Sequence, residues 1–158
     1  MKSLIVYSSQ TENTKKLAEI IYENLEGETD IFSVEEAPSP AGYDLIAVGF
    51  WLMAGKPDPK ASKYLEKLGK KDRVVLFATH GASTESDHVK NAIYHAIGLT
   101  NDADIASVFT CQGEVNPKVL EKVRQKPMPP VWIGDADHAV GHPDEGDLNN
   151  LKELIKKL

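Results

Sequence analysis

The sequence predicts an α/β protein of three layers, in which a doubly wound, parallel five-stranded sheet lies between two layers of helices. Three observations lead to this prediction. Five apolar, β-branched runs recur along the chain, three of them have almost no polar alternation, and helix-patterned segments separate them. Continuous apolar runs are typical of parallel strands buried on both faces, and strand–helix alternation produces right-handed βαβ units. Five strands in 158 residues favour the strand order 2-1-3-4-5.

The predicted elements follow one another at regular intervals. Strands are predicted at residues 3–7, 29–34, 45–50, 73–78 and 105–110, and helices at residues 14–25, 59–68, 86–97, 117–124 and 144–158. The last helix begins with acidic residues and ends with Lys156 and Lys157, which suits the helix dipole. Proline and glycine mark linkers at residues 37–42 and 126–130. Because only 28 residues follow the second linker, we predict a single domain, residues 1–158.

The composition is typical of a folded globular protein, with 41% hydrophobic residues, 27% charged residues and a formal net charge of −6. No apolar run reaches the roughly 18 to 20 residues of a membrane span, and the N-terminus has no signal-peptide pattern. The negative charge argues against nucleic acid as a partner. Since Cys111 is the single cysteine, no intrachain disulfide can form. We therefore expect a cytoplasmic protein with no membrane partner, as a monomer or weak dimer.

The first loop, residues 8–14, carries four hydroxyl residues and two amides between the first strand and the first helix. Free N–H groups at the helix start and short hydroxyls can donate to phosphate oxygens without a lysine. This loop resembles the phosphate loop of flavodoxins, T/S-x-T-G-x-T, at five of the six positions in Ser9-Gln10-Thr11-Glu12-Asn13-Thr14. The resemblance implies that FMN is the cofactor and that these six residues bind its phosphate.

The loop after the third strand begins with Phe50 and Trp51 and continues with Leu52 and Met53. An aromatic face can stack on a planar heterocycle. Flavodoxins carry such an aromatic residue here, so the resemblance implies that Trp51 stacks on the flavin beside Phe50 and Leu52. It also implies that residues 53–55 supply a peptide that rotates to accept a hydrogen bond from flavin N5–H. The alternative is that Phe50 and Trp51 only cap the core.

The loop after the fourth strand contains Thr79, His80, Gly81 and Ala82. Glycine allows the backbone to approach a ligand closely. Flavodoxins use this loop to bind the pyrimidine edge of the flavin, so the resemblance implies cofactor contacts for these four residues. In this interpretation His80 places a positive charge beside the reduced, anionic ring and raises its reduction potential. The alternative is a surface histidine with no role.

The resemblance covers nearly the whole chain and extends to a small subgroup, the short-chain flavodoxin-like proteins associated with bilirubin reductase. The segments that carry it are residues 49–51, residues 76–82, the turn Cys111-Gln112-Gly113 and the stretch His142-Pro143-Asp144-Glu145. Cys111 has no second cysteine or basic helix start near it in the sequence, so a buried, unreactive thiol is expected.

Neither a metal site nor a catalytic residue is predicted. A group of potential metal ligands lies near the C-terminus, but its spacing matches no helix-borne ligand pair; its members are Asp135, Asp137, His138, His142 and Asp144. Ser8 and Ser9 lack the surrounding G-x-S-x-G pattern of a nucleophile elbow.

Glu12 is the misfit in the phosphate loop, because the family usually has glycine at this position. A glutamate within a few ångströms of a phosphate dianion could cost about 1 to 4 kcal/mol, which would weaken binding by about ten-fold to several hundred-fold. The alternative is that the side chain points into water and costs little. The hypothesis at this point is that the site binds FMN more loosely than the sites of its relatives.

Four functions are compatible with the sequence. The first is an FMN-binding electron carrier between redox partner proteins, in which the flavin supplies the chemistry. The second is an FMN-dependent reductase or an accessory subunit of a dedicated reductase, which the subgroup resemblance connects with tetrapyrrole (bilin) reduction. The third is a flavin-free interaction module with the flavodoxin fold. The fourth, a nicotinamide-dependent quinone reductase, is disfavoured by the short loops after the third and fifth strands.

Overall fold

The computed structural model describes residues 1–158, with the exception of the side chain of Val131. Six strands are present, and they are β1 (Lys2–Tyr7), β2 (Glu28–Ser33), β3 (Leu45–Met53), β4 (Lys56–Pro57), β5 (Arg73–His80) and β6 (Asp104–Gln112). The helices are α1 (Asn13–Asn24), α2 (Pro59–Leu65), α3 (Asp87–Leu99), α4 (Pro117–Arg124), a 3-10 helix (Val131–Ala139) and α5 (Glu145–Lys156).

The sheet has the order β2-β1-β3-β5-β6, and its neighbouring strands are parallel. This order confirms the predicted doubly wound sheet of order 2-1-3-4-5, because β4 lies off the main path. The additional strand β4 pairs antiparallel with the end of β3, through Leu52 with Pro57 and Met53 with Lys56. A two-residue turn with positive φ at Ala54 (53°) and Gly55 (76°) joins them, as in the tight turns of β-hairpins.

Alternate residues of the central strands enter two separate hydrophobic cores. Leu4, Val6 and Ile46 belong to the core that includes Ala61 and Leu65 of α2. On the other face, strand residues belong to a core with α1 and α5; they include Ile5, Leu45, Ala47, Val75 and Phe77. This alternation follows from the period of two along a strand, and burial on both faces explains the lack of polar positions in the sequence.

Four of the five α-helices begin at a side chain that caps a free N–H group, and the exception is α1. Asp58 caps α2 by accepting from Ala61 N–H, and Ser86 caps α3 by accepting from Val89 N–H. Asp144 and Asp147 form a capping box at the start of α5. None of the helices in the described part of the chain is long and apolar enough to cross a membrane.

The 3-10 helix after the second proline-rich linker is an element that the sequence analysis did not predict. Ala136 and Ala139 are buried, whereas Gly134 and His138 are exposed. Short 3-10 segments lack the broad apolar stripe of an α-helix, so periodicity does not reveal them. This helix brings the segment after the linker back to the carboxyl ends of the strands.

Candidate ligand-binding site

A cavity opens at the carboxyl ends of β1, β3, β5 and β6. Its wall comes from the loops after these strands, from α3, from the start of α4 and from the 3-10 helix; the lining residues are Gln10, Thr11, Asn13, Trp51, Leu52, Ala54, Gly55, Thr79, His80, Gly81, Ala82, His88, Gly113, Glu114, Val115, Asn116, Val119 and Trp132. In an open parallel sheet, ligands bind at this edge, near the point where the strand order changes direction.

The first loop presents a run of free backbone donors at the start of α1. Within the described residues, the N–H groups of residues 10–14 donate to no protein acceptor, and the first helical bond runs from Lys16 N to Glu12 O. Lys15 N–H donates to Ser9 Oγ at 3.3 Å. Free amides and the positive end of the helix dipole together favour an anion such as phosphate.

Glu12 occupies the helix cap in the left-handed conformation, with φ of 68°. This backbone conformation explains why glycine suits the position in a phosphate loop. The side chain of Glu12 is 70% exposed, and Oε2 lies 3.6 Å from Lys15 Nζ. The structure therefore favours the second alternative of the sequence analysis, in which the carboxylate points into water and has a nearby cation.

Asp58 is a buried carboxylate, 1% exposed, that connects three parts of the site. Its Oδ1 accepts from Ser8 Oγ at 2.7 Å and from Ala61 N at 3.1 Å, and its Oδ2 accepts from Trp51 N at 3.4 Å. A carboxylate with several donors holds those groups in fixed positions. Asp58 thus ties the first loop to the loop after β3 and to the start of α2.

Two tryptophans line the cavity, and they come from distant parts of the chain. Trp51 lies in the last part of β3, and Trp132 lies in the 3-10 helix. Gly81 makes room for Val115, because a Cβ on this glycine would lie 2.7 Å from Val115 Cγ2, whereas the Trp132 indole, at 3.5 Å, would be in ordinary contact with it. Asp135 Oδ2 accepts from Ser83 N at 3.1 Å and holds the 3-10 helix against the loop after β5.

The loop after β6 closes the site against the first loop. Asn13 Nδ2 donates to Glu114 O and to Thr11 Oγ1, each at 3.0 Å. A Cβ on Gly113 would lie 2.7 Å from the same Nδ2, so only glycine allows this approach. Asn13 therefore joins these two loops, and the residue as a whole is 9% exposed.

His80 lies at the end of β5 and is 6% exposed. Its Nδ1 is 2.8 Å from Ala82 O, and its Nε2 is buried with no hydrogen-bond partner in the described residues. Burial lowers the pKa of His80 to about 4, so the imidazole is neutral at pH 7. The expectation of a positive charge beside the flavin is therefore wrong for this arrangement, because desolvation disfavours the imidazolium.

Most of the residues that the sequence singled out lie around the cavity, but five do not line it. Phe50 is fully buried in the core with α2. Thr14 is 1% exposed, and its hydroxyl pairs with that of Thr79 at 2.9 Å. Ser9 Oγ accepts a hydrogen bond from Lys15 N–H. The side chains of Glu12 and Met53 project into solvent, and Met53 is 51% exposed.

The group of potential metal ligands is only partly brought together. His142 and Asp144 lie close together and are joined by Asp147, which the sequence analysis did not include. In contrast, Asp135 accepts from Ser83 N–H and Asp137 accepts from Arg124 at 2.7 Å. Asp144 and Asp147 already form the capping box of α5, and His142 Nδ1 lies 2.6 Å from Asp147 Oδ2.

Cys111 is 3% exposed, and burial raises the pKa of its thiol. This confirms the expectation of a buried, unreactive cysteine.

Other residues of the site were missed. An aspartate before a proline, as at Asp58, is a helix-cap signal that could have been found in the sequence. Trp132 and the loop from Gly113 to Asn116 gave no such signal, because only the tertiary structure brings them to the cavity.

Comparisons with known proteins identify the family of this fold. Residues 4–156 match the family model described as a flavodoxin domain. The chain is 29% identical over its full length to the flavodoxin-like domain-containing protein BilS of Clostridioides difficile (strain CD3), of which it covers 96%.

Two solved structures share the fold at low sequence identity. A flavodoxin of Streptococcus pneumonia TIGR4 has a TM-score of 0.65 and 14% identity, and the match covers 99% of this chain and 96% of that one. A flavoprotein in complex with FMN from Lactobacillus acidophilus NCFM has a TM-score of 0.57 and 18% identity, and the match covers 69% of this chain and 92% of that one.

Proposed function

The chain belongs to the flavodoxin domain family, and from this premise we propose that it binds FMN and carries electrons between redox partner proteins. The proposal rests on one observation, which is that free backbone N–H groups and aromatic side chains lie around the same cavity. The N–H groups of residues 10–14 suit a phosphate, and Trp51 lines the same cavity. A planar ring with a phosphate tail has both of the features that these groups recognise.

The residues present fit FMN by their chemistry. The first loop would hold the phosphate through backbone N–H groups and the dipole of α1, with the Lys15 ammonium nearby. The indoles of Trp51 and Trp132 offer apolar faces for the ring. His80 Nε2 is a buried polar atom without a partner, as expected where a ligand completes the hydrogen bonding.

Bound FMN would supply the electron-transfer chemistry, and the chain would bind, orient and shield the ring. The buried imidazole of His80 has a pKa of about 4 and so holds little proton at pH 7. The thiol of Cys111 is buried, and burial raises its pKa, which disfavours the reactive thiolate. These properties favour a carrier over an enzyme that must deliver protons to a substrate.

The first experiment is a titration of the flavin-free protein with FMN, followed by absorbance and by tryptophan fluorescence. We expect saturable binding of FMN, with flavin absorbance bands that shift when the cofactor binds. Riboflavin, which lacks the phosphate, is the matched ligand control and should bind more weakly. If the protein does not bind FMN at high micromolar concentration, the proposal is overturned. The flavin-free interaction module is then the function that remains.

The aromatic contribution can be separated from the fold with two variants. Trp51→Ala should weaken FMN binding by about ten-fold or more, because stacking and apolar burial are each worth about 1 kcal/mol or above. Tyr94→Ala is the control, since Tyr94 is 71% exposed on α3 and does not line the cavity.

Electron transfer is then tested by reducing the FMN-loaded protein and mixing it with a heme protein acceptor under anaerobic conditions. Stoichiometric reoxidation of the flavin supports the carrier function, and inertness toward one-electron acceptors contradicts it.

A further inference from the structure

The chain between β6 and α5 leaves the sheet and returns to the same point. β6 ends at Gln112 and α5 begins at Glu145. Close to both ends of this connection, Glu114 N–H donates to His142 O at 2.8 Å. This hydrogen bond joins the two ends, so the residues between them form a flap with a narrow neck. We call this flap, residues 115–141, the cover.

The cover is attached to the rest of the protein with little apolar packing. None of its described side chains belongs to either of the two hydrophobic cores. Within the cover, α4 packs on the 3-10 helix, and Arg124 Nη2 lies 2.7 Å from Asp137 Oδ1. Segments with few buried apolar contacts open locally at a small fraction of the free energy of global unfolding. The cover is therefore able to move as one unit while the sheet stays folded.

Two polar side chains hold the cover against the loop after β5. Asp135 Oδ2, in the 3-10 helix, accepts from Ser83 N–H at 3.1 Å. Gln112 Nε2, at the end of β6, donates to Gly81 O and to Asp135 O, each at 3.3 Å. The loss of one such hydrogen bond shifts an equilibrium by about three- to ten-fold. These bonds consequently favour the closed position of the cover without fixing it permanently.

The cover forms one side of the cavity. It contributes Val115, Asn116, Val119 and the half-buried Trp132 to the wall. With the cover in this position, the cavity has a volume of about 150 Å³, whereas pockets for small-molecule ligands usually have roughly 300–1,000 Å³. A ligand with three fused rings and a phosphate tail therefore requires the wall to move outward. The cover is a part of the wall that can do so without disturbing either core.

We propose that residues 115–141 are a displaceable cover that opens to admit FMN and closes on it. Trp132 contacts the bound ring in the closed state, and Asp135 and Gln112 are the positioning residues that hold this state. This inference rests on the proposed FMN function. FMN enters only when the cover is open and leaves only after it has reopened. The strength of the two polar attachments therefore sets the rates of cofactor exchange.

The first test measures the association and dissociation rates of FMN by stopped-flow fluorescence in the wild-type protein and in Asp135→Ala. Loss of the bond to Ser83 N–H raises the open population, so both rates should increase by about three- to ten-fold. The dissociation constant should change by less than about three-fold, because the same bond is broken for entry and for exit. General damage to the site would instead slow association. Asp135→Asn keeps an acceptor oxygen and should restore the wild-type rates.

Two further variants separate the latch from the contact with the ring. Asp137→Ala is the matched control in the same 3-10 helix, because it removes only an exposed ion pair inside the cover; both rates should stay within about two-fold of wild type. Trp132→Ala should raise the dissociation rate by about ten-fold without slowing association, since its indole contacts the ring only after closure. The inference is overturned if Asp135→Ala does not accelerate association, or if Trp132→Ala does not accelerate dissociation.

The second test is hydrogen exchange of the wild-type protein, followed by mass spectrometry with and without FMN. Without FMN, the amides of the cover should exchange faster than those of β5, because the cover opens without global unfolding. FMN should slow exchange in the cover and leave α5, which does not line the cavity, unchanged. If the cover exchanges as slowly as β5, or if FMN does not slow it, the inference is overturned.

The two proposals fail in different ways. If the wild-type protein does not bind FMN, the proposed function and this inference are both overturned. If the wild-type protein binds FMN and Asp135→Ala exchanges FMN at the wild-type rates, only the cover is overturned. If Asp135→Ala does not fold, hydrogen exchange of the wild-type protein decides alone.

Discussion

Two histidines, His80 and His142, lie near the same loops and have opposite properties. His80 is 6% exposed, and burial lowers its pKa to about 4. The side chain of His142 is 27% exposed, and the hydrogen bond that its Nδ1 donates to Asp147 Oδ2 raises the pKa of His142. Asp147 also acts on His80, but there desolvation outweighs it. The difference shows that the partner and the exposure of each ring, rather than the residue type, set its charge.

The same contrast extends to the two regions around these histidines. At the start of α5, the polar groups satisfy one another: His142 Nδ1 is 2.6 Å from Asp147 Oδ2, and the capping box joins Asp144 with Asp147 at 2.9 Å in both directions. At the cavity, the N–H groups of residues 10–14 and His80 Nε2 have no partner in the described residues. Unsatisfied polar groups are costly, so they indicate where a ligand completes the structure.

The largest effect is expected from removing the buried carboxylate beside the cavity. Asp58→Ala should lower the free energy of unfolding by about 2–4 kcal/mol, because it removes a helix cap and leaves Ser8 and Trp51 without an acceptor. Asp144→Ala is the matched control, since it also removes a helix cap but at a half-exposed position, and about 1 kcal/mol is expected. Urea unfolding of both variants measures the difference. Equal losses of unfolding free energy in the two variants would contradict the role of Asp58 as a buried acceptor for Ser8 and Trp51.

Acid should destabilise the protein through His80. Its folded pKa of about 4 lies below the unfolded value of 6.5, so the unfolded state binds more protons between these two values. The stabilisation is complete above pH 6.5 and is lost as the pH falls, by about 2 kcal/mol at pH 5 and about 3 kcal/mol at pH 4.

This contribution is isolated by comparing the unfolding free energy of the wild-type protein and His80→Gln from pH 7 to pH 4. The wild-type protein should lose more stability than His80→Gln by the stated amounts, and the exposed-histidine variant His95→Gln should follow the wild-type curve. If the curves of wild type and His80→Gln run parallel, His80 is not buried in the neutral form.

Glu12→Gly should stabilise the protein by about 0.5–1 kcal/mol, because glycine adopts the left-handed conformation at φ of 68° without steric cost. The FMN dissociation constant should change by less than about three-fold, since the carboxylate is exposed and lies near Lys15. Glu19→Gly, at an exposed position inside α1, should instead destabilise by about 1 kcal/mol. A gain of ten-fold or more in FMN affinity for Glu12→Gly would support the charge-repulsion alternative.

The smallest effect is expected at His142. Asp147→Asn should lower the pKa of His142 toward its ordinary value, which an NMR titration of the ring resonances detects. The raised pKa contributes stability below the unfolded value of 6.5 that is lost as the pH rises through the folded value. Because the ring is partly exposed, this amounts to less than about 0.5 kcal/mol. Asp137→Asn, which breaks only the ion pair with Arg124, should leave the pKa of His142 unchanged.

The predicted strands and their order agree with the structure because buried parallel strands require continuous apolar runs. The runs at residues 45–50 and 73–78 became β3 and β5 with the ends displaced by a few residues. The short strand β4 was missed because two residues, Lys56 and Pro57, carry no periodicity and pair only through the hairpin turn. The 3-10 helix was missed for a similar reason, since it has no α-helical stripe.

The sequence by itself determined the strand order, the position of the ligand edge and the loops that form it, because hydrophobic period and turn residues act locally. Only the tertiary structure decided which side chains in those loops face the cavity. It buried Phe50 in the core, brought Trp132 to the site and turned Glu12 toward water. It also decided the charge of His80, because a pKa depends on desolvation and on groups far away in the sequence, such as Asp147.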